Sequence, residues 1–137
     1  MKAFIDTSAF CAITIPGDRH NARAKSLYKI LEEHRAIIYT SNYVMDEIYT
    51  LLKTRGSHRT AVKFMDQVND SNIVILWITD EVEQDAQDIF RRFDDKKLSF
   101  TDCTSFALIN RYGLRTVFAF DEHFRYHPYQ HPVEFLE

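Results

Sequence analysis

Four short apolar runs punctuate the chain: KAFI (2–5), AIIYT (36–40), NIVILWIT (72–79) and TVFAF (116–120). Between them lie stretches whose apolar residues recur at helical spacing. That alternation leaves few architectures, because strands joined by helices pair into a largely parallel sheet with both faces covered. The longest run, NIVILWIT, reads as a central strand by its continuous apolarity. A shorter one, VEFL (133–136), is a candidate edge strand. The expected fold is α/β: one domain over residues 1–137, with a mostly parallel central sheet of four to five strands and helices on both faces.

The helical segments carry their own start and stop signals. Asp18 precedes a stretch to about His34 with Ala24, Leu27, Tyr28 and Leu31 on one stripe. Ser41 or Asn42 can cap a helix bearing Val44, Ile48, Leu51 and Leu52 that ends near Gly56. Residues 58–69 place Ala61, Val62, Met65 and Val68 inward. Asp80 and Glu83 open a helix with Val82, Ala86, Ile89, Phe90 and Phe93 on one face. Ser99 and Asp102 repeat the cap-and-third-residue spacing before CTSFALINRY, which Gly113 closes.

At 45% hydrophobic residues the chain can build a core, and its length suits one domain. The strongly apolar stretch from Ile73 to Ile78 is far too short to cross a bilayer, and no apolar leader precedes Asp6. A cytoplasmic protein without a membrane partner is expected. Cys11 and Cys103 sit in apolar surroundings without CxxC spacing, as reduced buried residues; a disulfide is the weaker alternative. A net charge of −3 does not mark the chain as a nucleic-acid binder.

In open parallel sheets, ligands bind outside the carboxyl ends of the strands. Two aspartates stand there: Asp6 after KAFI and Asp121 after TVFAF. Either alone reads as a turn residue; together they suggest a site. Glu47 lies three residues from Val44 on the inward stripe, whereas Asp46 points elsewhere. An inward glutamate is costly unless it is paired or bound to a cation, and the residues leave both readings open. Asp102 suits the first turn of its helix through capping and the helix dipole, and also lies on the Phe106–Ile109 face.

The segments FIDTSAF, SNYVMDEIYTLL, LSFTDCTSFALI and FAFDEHF, in this order and at these separations, resemble those of PIN-domain ribonucleases, and more narrowly the VapC-type toxins of toxin–antitoxin pairs. The likeness runs from Asp6 to the last strand. It implies a PIN-like fold and an acidic catalytic site of Asp6, Glu47, Asp102 and Asp121. Asp6, Asp102 and Asp121 would ligate Mg²⁺ or Mn²⁺, cations that suit carboxylates and water. Glu47 would complete the shell or orient the nucleophile. The implied reaction is metal-dependent hydrolysis of an RNA phosphodiester by in-line attack of water. The implied partners are an RNA substrate, a cognate antitoxin and a second copy in a homodimer. The chain departs from the family pattern at Ala119 and Phe120, where members often carry a hydroxyl just before the last aspartate.

Other constellations are weaker. His123, His127 and His131 are spaced for a helical zinc face, but Pro128 and Pro132 interrupt it. Lys53, Arg55, His58, Arg59 and Lys63 form a local basic patch, either solvated surface or a phosphate track. Three rival functions are a receiver-type phosphoacceptor, a dehalogenase-type phosphatase and a catalytically silent PIN-like module that binds RNA or protein. The first wants adjacent early acids, yet Thr7 follows Asp6; the second wants Asp-x-Asp, yet position 8 is serine. The four intact acids argue against the third.

Overall fold

A computed structural model describes all 137 residues. Its elements are β1 (Lys2–Ile5), α1 (Thr7–Thr14), α2 (Asn21–Glu33), β2 (Ile37–Ser41), α3 (Asn42–Arg55) and α4 (His58–Asn69), followed by β3 (Val74–Leu76), α5 (Asp80–Arg92), α6 (Phe100–Tyr112), β4 (Thr116–Phe118), α7 (His123–Tyr126) and β5 (Glu134–Phe135). The five strands form one sheet in the order β3-β2-β1-β4-β5, and every pairing is parallel. No helix is long and apolar enough to cross a membrane.

The order matters more than the strand count. From β1 the chain steps outward to β2 and β3, then crosses back to lay β4 on the other side of β1. Right-handed crossovers running in opposite directions leave helices on both faces of the sheet. They also open a crevice at the carboxyl ends of β1 and β4, where the strand order reverses. β1 is the central strand, and Ala3, Phe4 and Ile5 are fully buried. Thr40 of β2 donates its hydroxyl to the carbonyl of Ile5 at 2.9 Å, tying the two strands near that end.

The helices follow their signals closely. Ser41 caps α3 by accepting from the amide of Val44 at 3.0 Å. At α6 the amide of Asp102 donates to Ser99 Oγ (3.0 Å), while the amide of Ser99 donates to Asp102 Oδ2 (3.2 Å), a reciprocal capping box. Gly113 ends α6 at φ +61°, a left-handed conformation that favours glycine. Phe4, Phe106, Phe118 and Phe124 are fully buried, as are Ile48 and Leu52 from α3. Cys11 and Cys103 are free and buried.

Four local expectations need correction, and one helix was not expected. NIVILWIT is not a central strand: only Val74–Leu76 joins the ladder, at the sheet's edge, and Trp77 is 68% exposed. An all-apolar run was a poor guide because Val74 and Trp77 face solvent. TSAFCAIT forms a helix, α1, that periodicity did not reveal, since both its sides are covered and no polar face marks it. On α4 it is Phe64, not Val62, that enters the core. Two caps also shift: Thr79 rather than Asp80 caps α5, and α2 begins at Asn21, with Asp18 bonding the amide of His20 instead.

Candidate active site

Asp6 follows the last residue of β1, and its amide still donates to the carbonyl of Phe118 at 3.1 Å, extending the β1–β4 pairing. The residue then turns to cap α1. Its Oδ2 accepts from both the amide (3.1 Å) and the hydroxyl (2.9 Å) of Ser8. Ser8 Oγ in turn accepts from the amide of Phe120 at 3.0 Å, so the ends of β1 and β4 are pinned through one hydroxyl. Asp6 is 3% exposed. Burial, and then the charge of Asp102, push its carboxyl up to about 7 against the opposing bonds from Ser8.

Asp102 enters from the first turn of α6, 7% exposed, with one oxygen held by the Ser99 amide. Burial pushes its carboxyl up to about 6; the Ser99 amide opposes, and the charges of Asp121 and Glu47 add to the rise. Asp121 follows β4, and its Oδ1 accepts from the amide of His123 at 3.0 Å. Glu47 is half-buried on α3 and Asp46 is exposed, as the helix phase requires.

These four acids line one cleft of about 290 Å³, with Thr7, Ser8, Arg19, His20, Arg55 and Phe120 among its other walls. The four carboxylates singled out in the sequence therefore share one place in the fold. Four neighbours were not foreseen as site residues. Arg19 and His20 come from the α1–α2 turn, and Phe120 precedes Asp121. His123 Nδ1 lies 2.9 Å from Asp121 Oδ1 and 3.9 Å from Asp102 Oδ2, buried and without hydrogen-bond geometry to either. Only the position of His123, two residues beyond Asp121, gave a hint of this. No local pattern marks Arg19 or His20, because the approach is tertiary.

Two carboxylates and an imidazole make a donor set that could hold a divalent cation: one potential ligand atom each from Asp102, Asp121 and His123 lies within 4.8 Å of the others, while Asp6 and Glu47 line the same cleft outside this compact group. Thr7 Oγ1, buried and lining the same cleft, has no hydrogen-bond partner. Two buried carboxylates whose charged forms are disfavoured gain from either a proton or a nearby cation. Cys11 borders the cleft, but burial pushes its thiol up to about 11, away from the thiolate form.

Other features do not converge on chemistry. His127 stacks on Phe106 at 4.0 Å and His131 bonds the carbonyl of Leu114 at 2.7 Å, so the three late histidines form no zinc face. Of the basic segment, Arg55 reaches the cleft, while His58, Arg59 and Lys63 line a separate shallow surface beside Asp66 and Asp70. A hollow of about 320 Å³ at α5 and α6 is charged but has its central cation paired, with Arg111 bonded to Asp85 (2.7 Å) and Glu81 (3.3 Å).

Residues 3–128 match the model of the PIN domain family. The chain is 33% identical over 121 residues to the 23S rRNA-specific endonuclease VapC20 of Mycobacterium tuberculosis, covering 88% of this chain and 90% of that one. It is 28% identical over 127 residues to a VapC ribonuclease of Archaeoglobus fulgidus, covering 90% and 80%. The crystal structure of M. tuberculosis VapC20, described as a sarcin–ricin loop cleaving toxin, superposes with a TM-score of 0.82 at 32% identity over 90% of this chain and 92% of that one. VapBC2 of Rickettsia felis, bound to a promoter DNA fragment, shares the fold at TM-score 0.73 with 11% identity, each chain fully covered.

Proposed function

This chain belongs to the PIN-domain family, and from that premise we infer that it is a VapC-type endoribonuclease, the toxin of a toxin–antitoxin pair. The observation that carries the reading is the convergence of buried Asp6 and Asp102 with Asp121 and Glu47 at the crevice where the strand order reverses. Such a crevice is where an α/β sheet binds its ligand. A silent binding module would have no use for two buried carboxylates that cost stability.

Asp6, Asp102 and Asp121 are the residues we assign to hold Mg²⁺ or Mn²⁺. When bound, the cation supplies an activated water and neutralises charge developing on the phosphate. Glu47, outside that ligand set, orients the attacking water and accepts its proton. Arg55 and Arg19, on the cleft wall, offset phosphate charge and seat the strand. Ser8 holds Asp6 and the end of β4 in one register, so the carboxylates meet substrate already positioned. The oxygen of water bonds to phosphorus as Glu47 takes its proton, the bond from phosphorus to one ribose oxygen breaks, and that oxygen takes a proton from solvent.

The likeness to VapC20 makes a ribosomal RNA loop the first substrate to test. A cognate antitoxin, a homodimer and a cytoplasmic location complete the proposal on the same family grounds. Product ends provide the test of mechanism. Attack by water leaves linear phosphate ends, whereas 2′,3′-cyclic phosphate ends would show attack by the ribose 2′-hydroxyl and overturn it. Elution of the antitoxin-free protein at monomer size at micromolar concentration would remove the homodimer.

A further inference from the structure

His20 and Phe120 stack face to face in the wall of the cleft, with ring centroids 4.4 Å apart and planes 5° from parallel. The two residues are a hundred positions apart in sequence, and each is anchored independently. The amide of His20 donates to Asp18 Oδ1 at 2.8 Å, and Arg19 Nε donates to His20 Nε2 at 3.1 Å. The amide of Phe120 donates to Ser8 Oγ, whose own proton goes to Asp6 Oδ2. The aromatic step and the catalytic carboxylate are therefore parts of one hydrogen-bonded unit.

Packing alone does not account for Phe120. Phe118, the last residue of β4 and two residues earlier in the chain, is fully buried and meets Phe120 edge-on at 5.7 Å. Phe120 itself is only half-buried, and so is His20. A half-exposed, rigid aromatic pair beside a metal-type acidic site, with Arg19 and Arg55 on the same walls, has the two components of a single-strand nucleic-acid site. The inner faces of the pair cover each other, so these components are an outer ring face as the π surface for a base, and cations for its phosphates.

We propose that the His20–Phe120 step is a base subsite: it receives an unpaired nucleobase next to the scissile phosphate and so sets which phosphodiester enters the carboxylate cleft. The proposal rests on the ribonuclease reading above and adds to it the chemistry of the neighbouring nucleotide. Stacking tolerates any base, so the subsite selects for an unstacked nucleotide in a loop rather than for a letter of sequence.

The test is a double-mutant cycle on a cleaved loop RNA in Mg²⁺. Abasic nucleotides are placed one at a time around the cut, and wild type is compared with His20→Ala, His20→Tyr and Phe120→Leu. With wild type, the abasic substitution at one flanking position should lower kcat/KM about tenfold or more, the scale of one stacked base. In His20→Ala and Phe120→Leu that same substitution should cost little, since the partner is already gone. His20→Tyr should keep the sensitivity, and thermal melts identify any variant that has lost its fold. Equal abasic penalties in wild type and His20→Ala would overturn the subsite while leaving the nuclease intact. So would a His20→Ala variant that cuts like wild type but no longer binds its antitoxin. No cleavage by wild type at all would instead remove the ribonuclease reading.

Discussion

Ser8 grips a single oxygen of Asp6 twice, through its amide at 3.1 Å and its hydroxyl at 2.9 Å. The hydroxyl also accepts the amide of Phe120, so one small side chain couples the ends of the two strands that flank the crevice. The residue after the first site aspartate but one is thus a structural part of the site.

Ser8→Ala should therefore cost more than a surface serine. It removes one hydrogen bond to a charged group and leaves the Phe120 amide without its acceptor, together roughly 2 kcal/mol. Urea unfolding should show a lower midpoint with an unchanged m-value. The Mg²⁺ concentration for half-maximal cleavage should rise, because Asp6 loses one of the bonds that orient it.

The buried carboxylates make the metal-free protein less stable as pH rises. Asp6 is raised from 3.8 to about 7 and Asp102 to about 6, so the folded state holds protons that the unfolded chain has released. Stability then falls between about pH 4 and pH 7, and it stays low above that window. In EDTA, Asp6→Asn should flatten this slope and melt higher than wild type near pH 7.5, by roughly 5 °C. Added Mg²⁺ should raise the wild-type melting temperature and move the variant less.

Neighbouring acids on α3 should behave oppositely. Glu47 is half-buried in the cleft wall and Asp46 is exposed. Glu47→Gln should depress cleavage strongly with the fold retained, while Asp46→Asn should stay within about 0.5 kcal/mol in stability and near wild type in rate. The reverse ranking in a cleavage assay would mean that α3 presents its other face.

His127 offers a stability test away from the cleft. Burial, and then the charge of Arg92, hold its imidazole down to about 4, and its buried Nε2 has no partner. The unfolded chain takes up this proton below about 6.5, so the residue drains stability as pH falls from there to about 4. His127→Phe keeps an aromatic stacked on Phe106 and removes the titration. Because the cleft carboxylates titrate over the same range in both proteins, the stability of the variant relative to wild type, read from unfolding midpoints, should rise from pH 7 to pH 5.

Most of the architecture was legible because helix caps and strand runs are local. Ser41, Ser99 and Gly113 act where their spacing placed them, and the phase of α3 put Glu47 inward and Asp46 outward. What escaped is decided by tertiary neighbours. β3 has the most apolar sequence but lies at the edge, and α1 is covered on both sides and shows no amphipathic stripe. The carboxylates could be named from strand ends and helix phase together with the family likeness. Arg19, His20 and Phe120 could not, since only the packing of the α1–α2 turn against the end of β4 brings them to the cleft.

The central claim is that Asp6 and Asp102 hold a divalent cation that the protein needs to cut RNA. Its most direct measurement is cleavage of a loop RNA by antitoxin-free wild type, Asp6→Asn and Asp102→Asn, each in Mg²⁺ and after thorough chelation, with circular dichroism confirming the fold. Wild type should cut in Mg²⁺ or Mn²⁺ and stop in EDTA, and both variants should be inactive in either condition while remaining folded. Cleavage that survives chelation, or an Asp6→Asn or Asp102→Asn protein as active as wild type, would contradict the account.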